Sequence, residues 1–384
     1  MAAQPAPYSI ALDAVRSGYD GHTCWVHARA GAIPGRPPRV VLTMQRLLLS
    51  ASDVFYALHE MRTDDLGATW SGPLGHEETL GRREEPGGVV ACICDFTPAW
   101  HARSGILLGT GQVARYVGDR LMPDPRPRET AYATYDPDRR RWTPWRALEM
   151  PGGREGPYFS AGAGSTQRVD LPDGDILLPI YYRAAGERFS SVAVARCAFD
   201  GETLRFLERG SAHTVPSGRG MHEPSLALHR GRYYLTIRND ERGYVASSDD
   251  GLRFSEPQPW TFDDGRDLGN YNTQQHWVTH GDGLFLVYTR RGAQNDHVFR
   301  HRAPLFIAQV DPERLAVVRE TERVLVPERG ARLGNFGVVA VTPEETWVTV
   351  CEWMQPARCE RYGSDNTLWV ARIRWGSPNT PEAP

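Results

Sequence analysis

His222-Glu223 stands directly before an apolar run, and the next such run ends in Arg238-Asn239-Asp240. A carboxylate, an imidazole and a guanidinium at the ends of adjoining strands can hold an anion and move a proton. Two later segments, "NYNTQQHW" and "RRGAQNDHVFRHR", lack the apolar–polar alternation of a purely structural strand. They contribute Tyr271, Gln274, His276, Arg290 and Arg302. Residues of the same types recur at His27, Gln45-Arg46, Asp95, Tyr181-Tyr182-Arg183, Asn335 and Glu352. Two carboxyl groups on either side of a glycosidic bond, one of them protonated, cleave it by hydrolysis. A uronate carboxylate held by arginine, with His222, His276, Tyr181 or Tyr271 as base and acid, undergoes β-elimination instead. Aromatic platforms such as Trp277 and Trp353 would serve a binding protein that performs no chemistry.

Such residues cooperate only if the fold converges them. In 384 residues, 38 glycines and 29 prolines accompany a hydrophobic content of 40%, and no long stretch repeats with a period of 3.6. The chain therefore reads as all-β and dense in turns. The patterns "TDDLGATW" and "SSDDGLRF" share a spaced hydroxyl, Asp, Gly and aromatic residue. Degenerate versions occur in "AYATYDPDRRRWTPW", "VAVARCAFDGETLRFLE" and "LFIAQVDPERLAVVRE". Their turn aspartates, Asp65, Asp136, Asp200, Asp249 and Asp311, lie 49 to 71 residues apart, and a hairpin pattern such as "EPSLALHRGRYYLTIR" precedes several of them. Four strands per period, repeated six times, predicts a six-bladed β-propeller forming one domain over residues 1–384. The longest interval leaves room for a seventh blade. "TLWVARIRW" lacks an outer partner, so the N-terminal "PYSIALDAV" is expected to close the last blade. The aspartate turns are then scaffold, and the polar residues above lie near the axis.

These motifs resemble the Asp-box of the sialidase superfamily, whose fold is a six-bladed propeller. The stretch "MHEPSLALHRGRYYLTIRNDERGYVASSDDGLRF" carries the most specific likeness. The resemblance implies that Glu223 assists the nucleophile and that Arg238 is one of three arginines clamping a substrate carboxylate. "FRHRAPLFIAQVD" is similar to the stretch holding another clamp arginine, at Arg302 or Arg300. "MQRLLLSASDVFYALHEMRTDDLGATW" resembles an arginine-then-aspartate segment, which makes Arg46 a binding residue and Asp53 the acid/base. The chain departs from the family at two points. Val26-His27 stands where the Arg-Ile-Pro arginine is expected, and Phe336 where a nucleophilic tyrosine is expected, with Asn335 beside it.

The resulting expectation is a sialidase-like exo-glycosidase acting on an acidic glycan. Its catalytic candidates are Asp53, Glu223, His222 and His276. Its binding candidates are Arg46, His27, Tyr181, Arg183, Arg238, Tyr271, Gln274, Arg290, Arg302 and Asn335. A polysaccharide lyase and a non-catalytic glycan- or protein-binding propeller are the alternatives. The net charge of −3 gives no reason to expect nucleic acid. No stretch spans a bilayer, and no leader pattern opens the chain, so a cytoplasmic location is expected. There is no lysine, which excludes lysine Schiff-base chemistry. The six cysteines contain no CxxC pair, and His297-x-x-x-His301 falls in a strand-and-loop context, so neither a metal nor a cofactor is expected.

Overall fold

A computed structural model describes residues 7–51, 53–281 and 283–380. Its strands form six antiparallel sheets that follow one another along the chain. The first consists of Thr23–Ile33, Arg39–Leu48, Phe55–Thr63 and Ser71–Gly75, and the second is built mainly on Val89–His101, Ile106–Val117 and Thr130–Asp136. The third runs from Ser160–Gly162 through Ile176–Arg183 and Ser191–Phe199 to Leu204–Arg209. His222–His229, Arg232–Arg238, Tyr244–Ser248 and Gln258–Pro259 make the fourth. The fifth is led by His276–His280, Gly283–Tyr288 and Leu305–Asp311, and the sixth by Gly337–Thr342, Glu345–Cys351 and Leu368–Trp375. Each sheet's leading strands touch those of its neighbours, and Thr23–Ile33 touches both the second and the sixth sheet, so the row closes into a ring. The arrangement is a β-propeller, as the repeat predicts.

The core lies between sheets. Val41 and Leu58 of the first sheet pack with Ile93 and Val113 of the second. Leu177 and Val194 of the third meet Leu235 and Ala246 of the fourth. Val278 and Ile307 of the fifth meet Val348 and Ile373 of the sixth, and Leu42 of the first meets Trp347 of the sixth. A middle strand is thus covered on both faces, which is why "LFIA" reads as an unbroken apolar run.

Ring closure matches the sequence expectation. Tyr8–Arg16 pairs antiparallel with Leu368–Trp375, from Tyr8 opposite Trp375 to Arg16 opposite Leu368. Tyr8, Ile10 and Leu12 also pack on the cluster between the fifth and sixth sheets. Deleting residues 1–16 would expose both an edge and that cluster. Thermal unfolding followed by circular dichroism should then show a midpoint lower by roughly 10 °C or more, or no folded protein at all. A midpoint near that of the intact chain would show that the strand is dispensable.

The turn aspartates act locally. Asp65 Oδ1 accepts from the Thr63 hydroxyl at 2.8 Å and the Thr69 amide at 2.9 Å, and these hydrogen bonds hold its carboxyl near pKa 2. Asp136, Asp200 and Asp311 each accept from the amides two and three residues on. In "SSDDGLRF" the expected aspartate is off by one. Asp250, not Asp249, takes the Leu252 and Arg253 amides, at 2.9 and 2.7 Å, and the Ser248 hydroxyl. The strand persists to Ser248, opposite Tyr233, so the turn begins one residue later than the spacing implies, and Asp249 faces solvent. The aromatic residues of both motifs pack between sheets, Trp70 against Trp347 and Phe254 in the cluster shared by the third and fourth.

Candidate active site

Leading strands break register near one end of the ring. Pairing slips between Val26 and Arg29, between Cys94 and Thr97, and between His222 and Ser225. Within each slip one non-glycine residue takes a left-handed backbone: His27 at φ 57°, Asp95 at φ 52° and Glu223 at φ 41°. Bulges of this kind re-aim a side chain that strict alternation would send elsewhere. All three side chains line one cavity of about 490 Å³. Asp53, also left-handed at φ 54°, joins them, and Tyr116 of the second sheet fixes its backbone. The Tyr116 hydroxyl donates to the Asp53 carbonyl at 3.0 Å and accepts the Phe55 amide at 3.1 Å.

The cavity is strongly cationic although the chain is net negative. Arg126, Arg128, Arg219, Arg238, Arg300, Arg302 and Arg332 line it, against Asp53, Asp95 and Glu223. Arg238 binds Glu223 Oε1 and donates to Asn272 Oδ1 at 2.7 Å, and Arg219 pairs with Asp240 at 2.7 Å. Among the described residues, no carboxylate lies within 4.0 Å of the guanidinium of Arg126, Arg128, Arg300, Arg302 or Arg332. Arg302 is buried, bonding the Asn272 carbonyl and, at 3.3 Å, Asn335 Oδ1. Burial, followed by the charges of Arg238, Arg332 and Arg300, presses its pKa well below the usual arginine value. Arg332 is pressed to about 10, chiefly by burial, and lies 4.3 Å over the Trp353 ring. Uncompensated guanidinium groups in a cavity are suited to charge-assisted hydrogen bonds with an anion.

Beneath the cavity Asp95 is the hub of a buried network. Its Oδ1 accepts from Ser165 at 2.8 Å and lies 3.2 Å from His27 Nε2, and its Oδ2 accepts from Gln112 at 2.7 Å. Arg29, fully buried, donates to Ser165 at 2.7 Å and to Gln274 at 2.9 Å, and reaches Asp95 Oδ1 at 3.4 Å. Burial opposes ionisation of Asp95, but His27, Arg29 and the hydrogen bonds outweigh it and hold the carboxyl well below its ordinary range. Burial drives His27 the other way, below its ordinary value, so the charge partner is Arg29 and His27 is a neutral donor.

The sequence candidates divide into two groups. Asp53, Glu223, His222, His27, Tyr181, Arg238, Arg302 and Asn335 all line the cavity, with Arg300, the alternative to Arg302. His222 Nε2 donates to the Arg219 carbonyl at 3.1 Å, and burial with the charges of Arg219, Arg238 and Arg128 keeps the ring neutral. The Tyr181 hydroxyl donates a hydrogen bond to Gln112 Oε1, and burial raises its pKa far above the phenol range, which disfavours it as a base. Phe336 is buried between the fifth and sixth sheets, so Asn335 is the neighbour that reaches the cavity.

The remaining candidates lie away from it. Arg46 pairs with Trp25 in register, so its neighbour Gln45 points inward while Arg46 binds Asp20 at 3.1 Å. Gln274 and His276 lie in the buried network, where His276 donates to Ser225 at 2.7 Å and burial lowers its pKa to about 3. Tyr271 is hydrogen-bonded to His301 at 2.6 Å, and Arg290 to Glu322 at 2.6 and 2.8 Å. Arg183 pairs with Asp124 at 2.7 Å and faces a smaller adjoining cavity. Sequence reasoning missed Arg126, Arg128, Arg219 and Arg332. They sit in the connections "PDPRPRE", "SGRGMHE" and "RGARLG", whose only signal is arginine set among proline and glycine.

No family model and no curated protein matches this chain. Solved structures do match. Trypanosoma rangeli sialidase in complex with sialic acid superposes with a TM-score of 0.60 at 14% identity, over 97% of this chain and 60% of its own. A mutant of NanB sialidase from Streptococcus pneumoniae gives 0.64 at 10% identity, over 94% and 70%. A protein of unknown function from Dyadobacter fermentans gives 0.61 at 13% identity, over 95% and 99%. The chain thus spans about 60% of the Trypanosoma sialidase chain and has the fold of a divergent sialidase-like propeller.

Proposed function

We propose that the protein is a glycoside hydrolase acting on a glycan with an acidic sugar. The observation that carries this reading is one axial cavity holding Asp53 and Glu223 together with five arginines that have no carboxylate partner among the described residues. Arg302, Arg300 and Arg332 bind the sugar's anionic group. Asp53 protonates the leaving oxygen. Glu223 is ion-paired with Arg238 through Oε1, and its Oε2 is buried without a hydrogen-bond partner among the described residues. With Phe336 where the resemblance expects a tyrosine, and buried away from the cavity, water is the nucleophile and Glu223 its base. Asn335, beside Arg302, orients substrate or water.

The test is incubation with a panel of sialosides and uronate-containing oligosaccharides, read by product mass and by absorbance near 235 nm. Hydrolysis adds water to the products without new absorbance. Unsaturated, absorbing products would identify a lyase, and no turnover on any member would favour a binding protein. Arg302→Gln should raise KM by about tenfold or more through loss of a charge-assisted contact. An unchanged KM would remove Arg302 from the anion site.

A further inference from the structure

A second cavity of about 100 Å³ opens beside the first and shares Arg126, Arg128, Arg219 and His222 with it. Asp124, Ser160, Arg183 and Ser190 complete its wall. Arg183 is matched by Asp124 and Arg219 by Asp240, which leaves the charges of Arg126 and Arg128 unmatched. Arg128 is held in place. Its amide donates to Phe159 at 3.3 Å, its carbonyl accepts from Ala161 at 2.9 Å, and its guanidinium lies 5.1 Å from the Tyr181 ring centroid. Gly162 makes room for it, since a Cβ there would meet Arg128 Cδ at 2.9 Å. Arg126 donates to the Met122 carbonyl at 2.5 Å, and burial together with Arg128 lowers its pKa.

This pair belongs to the connection that leads into Thr130–Asp136 within the second sheet, whereas Arg300 and Arg302 precede the third strand of the fifth sheet. In a ring of six sheets the second and the fifth stand on opposite sides. Arg126 and Arg128 border both cavities, whereas Arg300, Arg302 and Arg332 border only the larger one. These are two separate cationic centres, and one carboxylate on a sugar ring cannot occupy both.

We infer that the annex receives a second anionic group of the substrate (a sulfate ester, a phosphate ester or a second carboxylate) between Arg126 and Arg128. The protein would then select sugars carrying at least two negative charges. This rests on reading the axial cavity as a glycan site.

Monosaccharides, which have no glycosidic bond to cleave, test binding alone. Isothermal titration would compare glucuronic acid with its 2-O-sulfate, its 3-O-phosphate and the dicarboxylate galactaric acid, with sodium sulfate titrated separately. At least one dianion should bind about tenfold or more tighter than glucuronic acid, as expected for an added charge-assisted contact. The preferred dianion identifies the second group. In Arg126→Gln/Arg128→Gln the advantage should fall to within about twofold, whereas Arg302→Gln should weaken every sugar alike. Equal affinities in the wild type, or an advantage retained in the double variant, would overturn the inference. If no sugar binds but sulfate does, and the double variant loses it, the annex stands as an anion receptor and the glycan reading falls. Should the double variant not fold, each single variant is read in the same way.

Discussion

Glu223→Gln is expected to lower kcat on the cleaved glycan by about two to four orders of magnitude, the range by which a positioned general base accelerates proton transfer. Glutamine preserves the size of the side chain and can still accept a hydrogen bond from Arg238, but it cannot accept a proton from water. KM should change much less than kcat, because the anion contacts are assigned to Arg302, Arg300 and Arg332 rather than to the carboxylate. The change also removes the negative partner of Arg238, whose Nη1 binds Glu223 Oε1 and whose Nη2 binds Asn272. A melting curve and circular dichroism spectrum must therefore accompany the kinetics, to separate lost chemistry from a displaced Arg238. A folded variant that turns over at the wild-type rate would remove Glu223 from the mechanism. Asp53→Asn offers an independent check, since leaving-group protonation matters most for poor leaving groups. Its defect should shrink on an activated aryl glycoside, whereas that of Glu223→Gln should persist.

Much of the fold is legible in the sequence because its determinants are local. An aspartate accepting two amides just ahead of it makes the same turn wherever it occurs, and paired apolar runs specify hairpins. The closing strand is legible for a complementary reason: Leu368–Trp375 is a strong strand that needs an outer partner, and Tyr8–Arg16 supplies it. The site is less legible because it depends on breaks in those regularities. Alternation places Gln45 and Arg46 on opposite faces, and only the register with Trp25 shows which one faces inward. His27, Asp95 and Glu223 reach the cavity because each occupies a bulge with a left-handed backbone, a conformation that composition does not reveal. Glu223 was nonetheless found, through its likeness to a known motif. Arg126 and Arg128 have no such guide, lying in a proline-rich connection between strands of the second sheet that no repeat pattern marks. The polarity of "NYNTQQHW" was a true signal given the wrong role. Gln274 and His276 serve the buried network under the cavity rather than the cavity itself.

That buried network carries the second large prediction. Asp95→Asn should destabilise the protein at pH 7 by about 3–5 kcal/mol, the range for removing one partner of a buried ion pair. The thermal midpoint should fall by roughly 5–10 °C. The loss arises mainly from Arg29, which is fully buried and would be left charged with only the neutral hydrogen-bond partners Ser165 and Gln274. The effect should depend on pH in a defined direction. The folded state holds the Asp95 carboxyl well below its ordinary range, while in the unfolded chain it titrates near pH 3.9. The stabilisation is therefore fully present above that unfolded value and declines as the pH falls through it toward the folded one. The gap in midpoint between wild type and Asp95→Asn should be widest at neutral pH and should narrow on acidification below about pH 4. Replacing Arg29 as well separates an unpaired charge from lost packing. Arg29→Met/Asp95→Asn should be more stable than Asp95→Asn alone, because the uncompensated charge is gone. Equal stability of the single and double variants, or a gap independent of pH, would assign the role of Asp95 to its hydrogen bonds with Ser165 and Gln112 instead of its charge.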